Sequence, residues 1–124
     1  FANYLVDGKP GYVPHVWATL DEAVTWITQA GGVAVIAHPG RYRLTDLQRE
    51  ELYARFKDLG GSGIEVVTGS HHPDEYQIFA KVAMQYGFLA SRGSDFHDPH
   101  ESGVDLGMLP PLPSQLRPVW SVFQ

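Results

Sequence analysis

A helical pattern followed by a short apolar run occurs three times along this chain of 124 residues. The first run, 33–37, is entirely apolar, with no polar residue between the hydrophobic ones. Such a run is typical of a strand that is buried on both faces, as in a parallel sheet. Two further strands are predicted at 64–67 and 88–90. Because helix and strand alternate with short turns, the sequence predicts an α/β fold with parallel strands and right-handed crossovers.

The three helices have clear start and stop signals. Thr19 and Thr45 each stand three residues before a Glu or Gln, which is the spacing of a capping box. Pro73 suits the first turn of the third helix. Glycine follows each helix and ends it. The sequence therefore predicts helices that begin near 19, 45 and 73.

Two segments lie outside this alternation. Residues 1–18 are rich in Gly and Pro and are predicted to form an arm or loop that leads into the domain. The tail from Pro99 contains four more prolines and is predicted to wrap around the domain in an extended form. Within that tail, 119–123 is predicted to be a last edge strand.

Composition narrows the class of protein. The chain has no cysteine, which excludes disulfides and thiolate metal sites and fits a reducing cytoplasm. Nine basic residues against fourteen acidic ones give a net charge of −5, which argues against a DNA-binding face. No apolar stretch is long enough for a membrane helix. We therefore expect a globular cytoplasmic domain with no membrane association.

Histidine and aspartate follow the predicted strands where each strand ends. His38 comes directly after the first strand, and Asp95 and His97 follow the third. Because the carboxyl ends of parallel strands share one edge of a sheet, these three side chains are predicted to converge there. Imidazole and carboxylate ligands suit Zn²⁺, Mn²⁺ or Fe²⁺. Two such ions, about 3.5–4 Å apart, would clamp a phosphate and generate hydroxide at neutral pH.

For the remaining histidines and one glutamate, a structural interpretation without a ligand is available. For Glu65, a buried carboxylate satisfied by backbone donors is the preferred interpretation. His71 and His72 fit a helix-entry loop, and His71 is the better candidate of the two for a shared site. His100 and His15 are expected to be surface residues.

Arg41 lies one turn beyond His38. Its guanidinium is a natural fork for a phosphate beside a metal site, although an exposed cation at the end of a loop is an equally good interpretation.

Three segments, 37–42, 63–67 and 93–97, closely resemble later motifs of the polymerase and histidinol phosphatase (PHP) family of phosphoesterases. The lead-in 12–19 is similar to the branch that acts on nucleotides and RNA ends. The resemblance implies a distorted (β/α)₇ barrel with two or three divalent ions, of which Mn²⁺ is the most expected and Zn²⁺ or Fe²⁺ are alternatives. The His-x-His motif that opens the family's domain is absent, so 19–124 is interpreted as the carboxyl-terminal part of such a barrel.

The resemblance also assigns roles to residues. It implies that His38, Asp95 and His97 bind metal, that Asp95 and His97 are catalytic, and that Arg41 and the segment around His71 contact the substrate.

The function implied is a metal-dependent phosphoesterase that acts through a metal-activated hydroxide. The expected substrates are nucleoside 3′,5′-bisphosphates, short RNA trimmed from 5′ to 3′, or both. The 124 residues alone are expected to be inactive and to self-associate. The alternative is a non-catalytic, degenerate PHP module with a regulatory or scaffolding role.

Overall fold

The computed structural model describes residues 19–98, 100 and 108–123. Helices and strands alternate along the first of these ranges, in the order α1 Leu20–Gln29, β1 Val35–Ile36, α2 Asp46–Asp58, β2 Gly63–Thr68, α3 Pro73–Tyr86 and β3 Leu89–Gly93. Short 3-10 turns are formed by Pro39–Arg41 and Val119–Phe123. The predicted arm 1–18, with His15 and the lead-in motif, lies outside the described residues. None of the helices in the described ranges is long and apolar enough to cross a membrane.

The strands form one parallel sheet in the order β1-β2-β3. Gly63 of β2 lies opposite Val35 on one side and Leu89 on the other, so β2 is the central strand. The register between β2 and β3 shifts between Glu65 and Val67. The prediction of an α/β fold with parallel strands is confirmed.

The helix starts follow the predicted chemistry. Capping boxes at Thr19 and Thr45 begin α1 and α2, and in each the threonine hydroxyl accepts from a backbone N–H three residues later. The cap of α3 was not anticipated from the sequence. His72 fills it, with its ring accepting from Asp74 N–H while Glu75 accepts from His72 N–H. A helix-entry role for His72 is therefore confirmed.

The core lies on both sides of the central strand. Ile64 and Val66 of β2 are fully buried, and aromatic side chains of α2 and α3 pack around them. Two leucines of the tail, Leu109 and Leu116, are buried in the same core. The tail therefore contributes to the packing of the domain.

Two strand predictions differ from the structure at their boundaries. The first strand covers two residues rather than 33–37. Its partner β2 begins at Gly63, so pairing cannot start earlier. Beyond the strand, the N–H of His38 donates to the side chain of Glu65. The third strand is longer than 88–90 and continues to Gly93, where it still pairs with β2.

The prediction of an edge strand at 119–123 is wrong. The backbone touches β3 at one isolated bridge, between Ala90 and Pro118. Pro118 has no N–H to continue a ladder. Its carbonyl instead accepts from the amide and the hydroxyl of Ser121, at 3.0 and 2.7 Å, which closes a 3-10 turn.

Within the described residues, no strand pairs with the outer edge of β1, and an apolar groove between α1, β1 and α2 lies beside it. We expect the isolated chain to self-associate through this face, because unpaired strand edges and apolar patches favour association. Light scattering should show a mass that rises with concentration. Ile27→Lys, in the groove, should lower that mass, whereas Ile78→Lys, exposed on α3, should not. A monomer at every concentration would contradict the prediction.

Candidate active site at the carboxyl ends of the strands

His38 follows β1 and begins the 3-10 turn Pro39–Arg41. Its backbone is left-handed, with φ 29° and ψ 61°, and its N–H donates to Glu65 Oε1 at 2.7 Å. The ring lies edge-on to Tyr42, with centroids 5.9 Å apart. His38 Nδ1 is buried and has no hydrogen-bond partner among the described residues. A buried ring nitrogen in this state is available to a ligand.

Glu65 is half-buried in the middle of β2. Burial raises the pKa of its carboxyl, and the nearby charge of Asp95 raises it further. The N–H of His38 acts in the opposite direction, as would the imidazoles of His38 and His71 if they were protonated. Glu65 is therefore in electrostatic contact with three of the polar residues at this edge of the sheet. Its acceptance of one backbone N–H agrees with part of the preferred interpretation, but the side chain is half-buried rather than buried.

Asp95 and His97 follow β3. The Asp95 side chain is 24% exposed and that of His97 is 67% exposed. Asp95 Oδ2 accepts a hydrogen bond from the hydroxyl of Ser70. His97 Nδ1 donates to the Asp95 backbone carbonyl at 2.8 Å and lies 3.7 Å from Asp95 Oδ1. The predicted Asp-x-His pair is thus a local unit, with Ser70 as a partner from the loop after β2.

His38 and Asp95 share a further property. In the part of the chain that the structure describes, they are the two residues other than glycine with positive φ, at 29° and 54°. Left-handed backbone costs free energy in a residue with a Cβ, and such residues cluster at active sites and ligand clamps. The backbone conformation therefore distinguishes two of the three residues that the sequence predicts to converge.

His71 is buried, with 5% of its surface exposed. Its Nδ1 lies 3.0 Å from the Val66 carbonyl, its Nε2 accepts from Gly40 N–H at 2.9 Å, and its ring stacks on Phe79. Both ring nitrogens therefore have backbone partners.

Arg41 is exposed at the end of the 3-10 turn and forms no ion pair with another described residue. His100 is exposed, as expected for a surface residue. Substrate contacts by Arg41 and His71 remain predictions from the sequence.

Two residues of this site were missed by sequence reasoning. Tyr42 packs on His38, and burial raises the pKa of its phenol, with the charge of Glu65 adding to the rise. Ser70 binds Asp95. The signal available for Ser70 was its place in the loop directly after β2, at the edge of the sheet where the other polar residues lie.

The predicted convergence of His38, Asp95 and His97 on one metal-binding group is not found in the described part of the chain. No three His, Asp or Glu side chains among residues 19–98, 100 and 108–123 lie together as a group that could hold a metal ion. The donor types nevertheless suit a divalent cation, because imidazole and carboxylate are common ligands for it and His38 Nδ1 lacks a partner. His38 and Asp95 are therefore suited to be part of the ligand set of a divalent ion, which would need further ligands.

Comparison with known proteins gives relatives that cover almost the whole chain. The chain is 52% identical over 120 residues to a 3′,5′-nucleoside bisphosphate phosphatase from Chromobacterium violaceum. It is 40% identical over 124 residues to the 5′-3′ exoribonuclease Rnm from Escherichia coli. These alignments cover 97% and 100% of this chain but 42% of each relative. No family model matches.

Two solved structures also match almost the whole of this chain and less than half of their own length. An amidohydrolase from Chromobacterium violaceum, solved with bound sulfate and no metal, superposes with a TM-score of 0.81 at 51% identity, over 97% of this chain and 41% of that one. A protein from Bifidobacterium adolescentis, provisionally named a metal-dependent phosphoesterase, superposes with a TM-score of 0.60 at 26% identity, over 99% and 41%. The chain is similar to part of these hydrolases.

Proposed function

We propose that this chain is the carboxyl-terminal part of a PHP-family barrel in a cytoplasmic, metal-dependent phosphoesterase. Its substrates would be phosphate esters of nucleotides, either nucleoside 3′,5′-bisphosphates or the 5′ ends of short RNA. The 52% identity to a 3′,5′-nucleoside bisphosphate phosphatase and the 40% identity to an exoribonuclease support this substrate class.

One observation carries the catalytic part of the proposal. His38 and Asp95 lie after β1 and β3, the strands that flank β2, and both have left-handed backbone. A fold retains such backbone where the surrounding structure holds it, and it does so most often where a side chain must be presented to a ligand. This backbone at both strand ends is the observation that favours a catalytic site over a non-catalytic module.

Three residues of this chain would bind the metal, and a fourth would bind the phosphate. His38, Asp95 and His97 would supply imidazole and carboxylate ligands, and the rest of the protein would supply the others. A bound divalent ion would supply Lewis-acid activation of water and neutralisation of phosphate charge. Arg41, exposed and without an ion pair among the described residues, would donate its guanidinium N–H groups to the phosphate oxygens.

Hydrolysis forms a bond from the water oxygen to phosphorus and breaks the ester P–O bond, so the leaving oxygen must gain a proton. That proton would come from a side chain that does not bind the ion, because His97 Nδ1–H already donates to the Asp95 carbonyl and the other ring nitrogen would be the metal ligand. Ser70 would hold the Asp95 carboxylate in place through its hydroxyl.

The test is an assay of the complete protein with Mn²⁺ on a nucleoside 3′,5′-bisphosphate and on a short RNA with a 5′ phosphate. Release of phosphate or mononucleotide is expected, and a chelator should abolish it until Mn²⁺ is restored. Folded protein that hydrolyses neither substrate would overturn the proposal in favour of the non-catalytic module.

A further inference from the structure

An irregularity in β2 determines the environment of His71. Glu65 pairs with Ser91 and Val67 pairs with Arg92, so Val66 has no partner residue in β3. A bulged residue of this kind leaves the ladder, and its polar groups need other partners. The Val66 carbonyl lies 3.0 Å from His71 Nδ1.

That contact decides the tautomer of the ring. A carbonyl oxygen can only accept, so the proton of the neutral imidazole must be on Nδ1. His71 Nε2 is then an acceptor, and Gly40 N–H donates to it at 2.9 Å. This donor lies at the start of the 3-10 turn Pro39–Arg41, where an N–H has no partner within the turn itself.

Packing fixes the ring between the turn and α3. The ring of Phe79 stacks on His71 with centroids 4.7 Å apart and an angle of 22°. A Cβ at Gly40 would lie 2.4 Å from Glu75 Oε2 and 2.8 Å from His71 Cδ2, so a larger residue fits there only if these side chains shift. The turn therefore rests directly on the imidazole.

We propose that His71 is a positioning residue: it holds the turn that carries His38 and Arg41, without contacting the substrate. The inference rests on the proposed function, because the turn matters to catalysis only if those two residues act on phosphate. Residues that orient metal-binding or phosphate-binding groups typically affect activity by about 10- to 100-fold.

Two substitutions separate the hydrogen bonds of the ring. In His71→Gln the side-chain amide reaches the position of Nε2, so its oxygen can accept from Gly40 N–H while the donor to Val66 is lost. In His71→Asn the shorter amide reaches the position of Nδ1, so the donor to Val66 is kept and the acceptor for Gly40 is lost. Both variants lose the stacking on Phe79 and one hydrogen bond, and thermal unfolding verifies that both are folded.

In the complete protein, His71→Asn should lower kcat by about 10- to 100-fold with a smaller change in KM, and His71→Gln should retain most of the activity. Equal losses in the two variants, or no loss in His71→Asn, would overturn the proposal.

Hydrogen exchange of the Gly40 amide gives a readout that does not depend on activity. The amide should exchange slowly in the unmodified protein and in His71→Gln, and faster in His71→Asn. Equal exchange in the two variants would overturn the positioning role. If the unmodified protein hydrolyses neither substrate but the exchange rates follow the expected order, the proposed function is wrong. The inference that His71 holds the turn is then still supported.

Discussion

Replacing Asp95 with asparagine in the complete protein is expected to lower kcat/KM for a nucleoside 3′,5′-bisphosphate by at least about 100-fold. Residues that merely orient a metal ligand cost up to about that much, and Asp95 is proposed to be a ligand itself. Asparagine is the informative replacement, because it tolerates the left-handed backbone at φ 54° and its amide oxygen can still accept from Ser70. The change therefore removes the charge and leaves the local geometry intact.

Steady-state kinetics with saturating Mn²⁺ measure this effect, and thermal unfolding verifies that the variant is folded. Asp58→Asn is the matched control, since Asp58 is exposed at the carboxyl end of α2 and should change activity less than twofold. A folded Asp95→Asn protein with undiminished turnover would remove Asp95 from the mechanism.

The sequence predicted those parts of the fold that local chemistry determines. Capping boxes at Thr19 and Thr45 identified helix starts correctly because the cap hydroxyl and its partner three residues later are a local pattern. The extent of a strand depends on its partner, which sequence does not reveal. β1 is short because β2 begins at Gly63, and 119–123 is a 3-10 turn because Pro118 stops the pairing with β3.

The candidate site was predictable to the extent that strand ends are predictable. His38 and Asp95 were placed at one edge of the sheet by topology alone, and the structure adds their left-handed backbone. The contact of Ser70 with Asp95 depends on the path of a loop, and no spacing rule reports it. The partners of His71 depend on the bulge at Val66, which also leaves no signal in the sequence. The sequence therefore identified residues that could bind ligands, His71 among the candidates, and missed the contacts that hold them in place.

Arg41 provides the second large expected effect. Arg41→Met in the complete protein should lower kcat/KM by about 100- to 1,000-fold, the usual cost of removing one group that stabilises charge in a transition state. Methionine keeps the length and the apolar part of the side chain, so the loss would report the guanidinium. Within the described residues Arg41 has no ion pair to lose, so the substitution should leave stability nearly unchanged.

Arg43→Met is the matched control for this experiment. Arg43 is also exposed and follows two residues later, so it contributes the same charge to the surroundings of the site. If Arg41 binds phosphate through a fixed pair of N–H donors, Arg43→Met should cost less than about threefold, as expected for general attraction of an anion screened by salt. Equal losses in the two variants would show that the loop acts through net charge, and no loss in Arg41→Met would exclude it as a phosphate ligand. The difference between the two arginines therefore decides whether the turn held by His71 presents a specific phosphate contact.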